Sequence, residues 1–196
     1  MGKELGKDYY DSVFQKGGHN QLYFKKAEEI KEYYTSWKLA YNFIIQNKIS
    51  KVIDLGCGPG HFPSLFKDSD NITYEGYDFS EVAINQAKKL IGEKNNKINF
   101  YVKDLRGVSF DDNQDFYVSF EFLEHITFDL EILNKLKPNN QIIFSVPSYD
   151  SAGHVRYFLD ESEIENRYGK ILKLNKLAKI NNGINHTIYL YHGIRK

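Results

Sequence analysis

The chain has 196 residues, of which 41% are apolar, with 26 basic and 26 acidic side chains. That length supports one domain with a full core, and a formal charge of zero leaves no basic surplus for non-specific nucleic-acid binding, so a nucleic-acid partner is not expected. The lone cysteine, Cys57, excludes an internal disulfide and a zinc–thiolate cluster. Residues 1–10 are charged and polar, and no apolar run reaches the roughly 20 residues a membrane span needs, so a cytoplasmic location without membrane attachment is expected.

In chain order, residues 1–24 read as irregular, with Gly17-Gly18 as a hinge and aromatics at Tyr9, Tyr10, Phe14, Tyr23 and Phe24. From Lys25 to Gln46, the apolar residues Ile30, Tyr33, Tyr34, Trp37, Ala40, Tyr41 and Ile44 recur at helical steps and predict a helix. Strands are expected at 51–55, 72–78, 98–102, 115–120 and 140–146. Helices are expected between them near 60–67, 80–92 and 128–136, with Ser80 as an N-cap. This alternation predicts an α/β fold, a parallel sheet with helices on both faces. A short helix is expected at 160–168, then two apolar runs, 170–180 and 185–193, around Asn181-Asn182-Gly183, a hairpin signal. The expected organisation is a single domain over 1–196, with 1–48 as an N-terminal cap and helix and 49–196 as the core.

The run Val52-Ile53-Asp54-Leu55-Gly56-Cys57-Gly58-Pro59-Gly60-His61 is a buried strand that ends in an acid and a glycine turn. A dinucleotide turn reads G-x-G-x-x-G, and here His61 stands where the third glycine is needed. Asp54, ahead of the first glycine, would repel a phosphate but suits a cationic amino group. The turn fits a nucleoside that carries an amino acid. Cys57 inside it reads as a small apolar filler.

V-I-D-L-G-C-G-P-G resembles the first motif of class I S-adenosylmethionine-dependent methyltransferases. The resemblance continues through Tyr77-Asp78-Phe79-Ser80, Lys103-Asp104-Leu105 and Phe120-Glu121-Phe122-Leu123-Glu124-His125-Ile126, over roughly residues 50 to 160. It implies a Rossmann-like seven-stranded, mostly parallel sheet finished by a C-terminal antiparallel hairpin. It also implies S-adenosyl-L-methionine as cofactor, held by Asp54, Gly56, Cys57, Gly58, Gly60, Asp78, Phe79, Asp104, Leu105 and Phe120. In this reading the backbone amides of 56–60 approach the ligand, Asp54 attracts its ammonium group and Asp78 accepts from the ribose hydroxyls. Asp104 takes the adenine amino group, with Leu105 on the ring.

Methyl transfer needs proximity and a deprotonated acceptor. The candidates past the fourth and fifth strands are Glu124, His125 and His154, with either histidine able to take a proton near neutrality. Glu-x-x-Glu-His with a later histidine also resembles the metal pattern of small-RNA 2′-O-methyltransferases and ubiquinone-pathway O-methyltransferases, which would make Glu121, Glu124, His125 and His154 the ligands of a divalent ion. Tyr10 and Tyr34 are candidate substrate contacts from the N-terminal segment. Arg156 is either a fork for a substrate phosphate or carboxylate, or a loop anchor. His61 reads as a helix N-terminal residue without chemistry. The expected activity is methylation of an oxygen, with nitrogen next, on a small metabolite such as a sugar derivative or phosphorylated intermediate, by a monomer or homodimer. An RNA or protein methyltransferase and a non-catalytic S-adenosylmethionine-binding protein are the alternatives.

Overall fold

Val52, Ile53, Asp54 and Leu55 are all buried, the pattern of a strand covered on both faces, and Phe116–Ser119 and Gln141–Pro147 are enclosed in the same way. The computed structural model describes residues 2–67, 70–92, 96–110, 116–181, 183 and 186–196. Its strands are β1 (Lys51–Leu55), β2 (Thr73–Asp78), β3 (Ile98–Val102), β4 (Phe116–Ser119), β5 (Gln141–Pro147), β6 (Leu172–Asn181) and β7 (Thr187–Arg195). They lie in the order β3-β2-β1-β4-β5-β7-β6. The expected seven-stranded, mostly parallel sheet with a terminal antiparallel hairpin is therefore present. Asn182 of the hairpin turn lies outside the described residues, as do Asp115 of the expected fourth strand and Asn185 at the start of the expected last one.

The chain forms two compact units. In the first, Gly6–Leu105, β1 pairs parallel with β2 and β2 with β3. The helix α3 (Glu81–Ile91) starts where expected, because Ser80 Oγ accepts from the Ala83 amide at 3.1 Å and relieves one orphan donor of the first turn. The expected long helix is shorter than its pattern: α2 runs Lys31–Gln46, preceded by a 3₁₀ turn at Ala27–Glu29. The helix expected near 60–67 shrinks to one 3₁₀ turn, Pro63–Leu65, since Pro63 has no amide to continue a ladder from the glycine turn.

Residues 1–24 correct the sequence reading most. Lys7–Gln15 is a helix, α1, and not irregular chain. Three side-chain bonds hold it: Ser80 Oγ donates to Asp11 Oδ1 at 2.5 Å, Gln86 Nε2 donates to the Phe14 carbonyl at 2.9 Å, and Lys7 pairs with Asp11 at 2.7 Å. Two of these partners lie about 70 positions away in sequence, where no local pattern reaches. The expected Gly17-Gly18 hinge is the cap of this helix. Both glycines have positive φ, and their amides donate to the Phe14 and Val13 carbonyls.

The second unit, Arg106–Lys196 with the N-terminal residues through Leu5, holds β4 parallel to β5, then β5–β7 and β7–β6 antiparallel. Its helices are α4 (Asp129–Lys135) and α5 (Glu161–Tyr168), the latter capped by Asp160, whose carboxylate accepts from the Ser162 and Glu163 amides. Asp129 is fully buried and collects the charge of this unit. Arg167 grips it with two bonds of 2.7 Å, Arg156 Nη2 lies at 3.2 Å and Tyr168 donates at 2.9 Å. Replacing Asp129 by Ala leaves two arginines without their counter-ion. It is expected to cost about 3–5 kcal/mol of stability in equilibrium denaturation, and a loss within experimental error would show the cluster to be redundant. No helix among the described residues is long and apolar enough to cross a membrane.

Candidate functional site

The glycine turn after β1 is shaped by its own hydrogen bonds. The Gly56 and Cys57 amides both donate to the Tyr77 carbonyl, the Gly60 amide to the Cys57 carbonyl, and the Gly58 amide to Asp78 Oδ2 at 3.0 Å. Pro59 has no N–H. Every amide of residues 56–60 is thus engaged within the protein. A phosphate cradle presents unpaired amides to its anion; this turn presents none. Gly60, at φ +80°, is needed for packing, because a Cβ there would lie 2.8 Å from the Ala87 methyl of α3. Gly58, at φ +51°, faces only the Phe14 ring at 3.8 Å.

Asp78 ends β2 and is buried, with Oδ1 accepting from the Ser80 amide at 2.9 Å. Burial pushes its carboxyl up to about 6, against the pull of the Ser80 and Gly58 amides. Each oxygen thus already accepts from a backbone amide. Asp54 is buried one strand away, its Oδ2 accepting from the Tyr74 hydroxyl at 2.6 Å. Desolvation first, and Asp78 in the same direction, raise Asp54 to about 7. Two carboxylates at the ends of neighbouring strands, with no basic partner on Asp54 among the described residues, make this end of the sheet a place for a cation and for hydroxyl donors.

Aromatic rings line the same end. Tyr10 of α1 packs against Phe79 at 5.6 Å, Phe14 against Tyr23 at 5.0 Å, and Tyr23 against His61 at 6.3 Å. His61 stacks on Trp37 at 5.7 Å with planes 2° apart, and its Nε2 donates to the Lys25 carbonyl at 3.1 Å. It ties the N-terminal segment to the glycine turn rather than starting a helix. Burial holds it below the ordinary histidine range, so it is neutral. Leu105 is buried and Asp104 beside it exposed. Tyr34 is half-buried on α2.

In the second unit, the segment after β4 carries the remaining candidates. Phe120 is half-buried at the strand end. Glu121 has φ +48°, an uncommon conformation for a side chain of its size, and Ser145 of β5 over-determines it. The Ser145 hydroxyl accepts from the Glu121 amide at 3.0 Å and donates to Glu121 Oε1 at 2.7 Å. Glu124 is fully buried, and neither of its oxygens has a hydrogen-bond partner among the described residues. Desolvation and the neighbouring Glu121 keep it protonated well above the ordinary range. His125 Nε2 lies 3.9 Å from Glu124 Oε1, and its ring meets that of His154 at 4.7 Å, edge to face. His154 Nδ1 donates to the Tyr149 carbonyl at 3.0 Å, which leaves Nε2 with its lone pair. Burial, then the adjacent His154, lowers His125 to about 4, so it is neutral at physiological pH.

Glu124, His125 and His154 thus come together, with ligand atoms within 4.8 Å of one another. Glu121, also among the expected ligands, is not in that group; its carboxylate is held by Ser145. Arg156 is the anchor of its two readings: Nη1 donates to the Leu123 carbonyl and to the Ile126 carbonyl at 2.6 Å, while Nη2 faces Asp129. Sequence reasoning missed Tyr74, Ser145 and Asp129. Of the three, only Ser145 stands inside an apolar run, Ile142 to Val146, where burial would require a partner, and that requirement was the one available signal.

The fold and these strand-end loops define a class. Residues 52–138 match the family model described as a methyltransferase domain. No curated protein matches the chain. Among solved structures, the magnesium protoporphyrin IX methyltransferase of Synechocystis with bound S-adenosylhomocysteine superposes with a TM-score of 0.69 at 15% identity, covering 97% of this chain and 98% of that one. The N-methyltransferase NodS of Bradyrhizobium japonicum, also with S-adenosylhomocysteine, gives 0.63 at 16%, covering 82% and 85%. A putative methyltransferase of Haloferax volcanii, solved in complex with the Trm112 activator, gives 0.67 at 16%, covering 97% and 99%. At these identities the likeness is one of fold: the class I methyltransferase sheet.

Proposed function

We propose that this protein transfers a methyl group from S-adenosyl-L-methionine to an oxygen of a small metabolite. The observation that carries the cofactor is the turn at 56–60, whose amides are all engaged while two buried carboxylates, Asp54 and Asp78, stand beside it. Such a site rejects pyrophosphate and suits a ligand with an ammonium group and a ribose diol. Asp78 accepts from the diol through its remaining lone pairs, Asp54 faces the amino-acid end, and Leu105 with Asp104 takes the adenine. The proton of the acceptor goes to the His125–His154 pair, where the imidazole of His125 is neutral and His154 Nε2 keeps its lone pair. A nitrogen acceptor would use the same residues.

One observation favours a second reading of the acceptor end. The unpartnered oxygens of Glu124, beside two imidazoles, form a donor set that suits a divalent ion. Such an ion would hold Glu124 ionised and lower the pKa of an acceptor hydroxyl. An RNA or protein acceptor lacks support from the balanced charge, and a small-molecule acceptor is the better fit. A thermal-shift comparison tests the cofactor. S-adenosylhomocysteine at a hundred times its Kd should stabilise the protein by about 2.7 kcal/mol, with NADH inert, and the reverse pattern would sink the proposal.

A further inference from the structure

The two oxygens of Asp54 are not equivalent. Oδ2 accepts from the Tyr74 hydroxyl at 2.6 Å, while Oδ1 is buried and has no hydrogen-bond partner among the described residues. Tyr74 lies on β2 opposite Val52 in the parallel register and is fully buried, its ring edge-on to Phe66 and Phe100 at 5.8 Å. A phenylalanine would fill that space equally well. The hydroxyl has one visible use, and that is to bind Asp54.

The other groups that act on Asp54 do not replace it. Asp78, at the end of the same strand, opposes a second negative charge, and Cys57 in the turn is held neutral by burial. Asp54 has no basic partner among the described residues. An ionised carboxylate here therefore depends on the phenol until a cationic ligand arrives, because a buried charge without a hydrogen bond is costly.

We infer that Tyr74 is a positioning residue for the cofactor's amino-acid end: it holds one oxygen of Asp54 so that the other is presented to the ammonium group. This rests on the reading of the turn as an S-adenosylmethionine site. It adds to that reading a dependence on pH specific to the amino-acid end of the ligand. Asp54 attracts the ammonium only when ionised. Affinity for an amino-acid-bearing ligand is therefore full above its midpoint near 7 and falls as the pH drops below it. Removing the phenol removes a bond made to the ionised form, so the midpoint moves to higher pH and affinity at neutral pH falls. Asp78, with its own midpoint near 6, acts on the ribose and so affects every nucleoside ligand alike.

Calorimetric titrations with S-adenosylhomocysteine and with 5′-methylthioadenosine, the same nucleoside thioether without the amino acid, separate the two carboxylates. The ratio of the two affinities cancels Asp78. In the wild type this ratio should fall by about tenfold per pH unit below the midpoint, one proton being linked. Tyr74→Phe should shift that limb to higher pH and lower the ratio several-fold at neutral pH, with methylthioadenosine affinity unchanged. Asp54→Asn, which keeps an oxygen for Tyr74, should give a flat ratio. Superimposable profiles for wild type and Tyr74→Phe would overturn the inference, and so would parallel weakening of both ligands, the mark of a merely structural phenol. A wild type that binds neither ligand would instead remove the cofactor reading on which this inference stands.

Discussion

Asp78→Ala should abolish most cofactor affinity while leaving the protein folded. The Asp78 side chain ties the glycine turn to the end of β2, through the Gly58 and Ser80 amides, and in the proposed function it also accepts from a ribose diol. Charge-assisted bonds to two hydroxyls are worth about 1.5–3 kcal/mol each, so loss of both predicts a fall in affinity of at least about a hundredfold. Asp78→Asn should fall less, since the amide oxygen still accepts from one backbone donor. Calorimetry with S-adenosylhomocysteine reads the affinity, and the far-ultraviolet spectrum checks the fold. An alanine variant that binds as tightly as wild type would end the ribose role.

His125→Ala is expected to separate chemistry from cofactor binding. Its imidazole touches Glu124 and His154 and sits in the unit that does not carry the glycine turn. Turnover should fall by about 10²–10⁴-fold, the range of a general base, with the dissociation constant of S-adenosylhomocysteine nearly constant. Full activity would eliminate His125 both as base and as ligand. A chelator added to the wild-type assay then divides the two roles. Unchanged turnover supports the imidazole pair acting alone, and lost turnover restored by a divalent ion supports the Glu124–His125–His154 donor set. Glu124→Gln gives the same division, since a protonated glutamate and its amide differ little unless an ion must be held.

The strands were legible because their signals are local. Lys51–Leu55 and Ile98–Val102 fall where the apolar runs place them, and α3 begins at Ser80 because an N-cap is written in adjacent residues. The helix α1 was not legible. Its reasons are the bonds from Asp11 to Ser80 and from Phe14 to Gln86, and only the folded chain brings those pairs together. The glycine turn was read correctly in kind but not in detail. Its spacing excludes a dinucleotide turn, yet nothing in the spacing says that its amides are already used. Arg156 makes the same point from the other side. An arginine on a candidate loop reads equally well as a substrate fork or an anchor, and only the positions of Leu123, Ile126 and Asp129 choose between them.

By itself, then, the sequence determined the order of the strands and of the helices α2 to α5, the acids at the ends of the first two strands, and the exclusion of a dinucleotide at the first turn. These depend on period, turn chemistry and residue type, which are properties of neighbours in the chain. The tertiary structure alone decided which polar side chains spend their hydrogen bonds inside the protein and which do not. Arg156, Glu121 and the turn amides are committed internally, while Asp54 Oδ1 and the Glu124 carboxylate are buried without hydrogen-bond partners among the described residues. That division follows from burial: away from water a polar group must find its partner wherever the fold puts one, and sequence distance has no bearing on where that is.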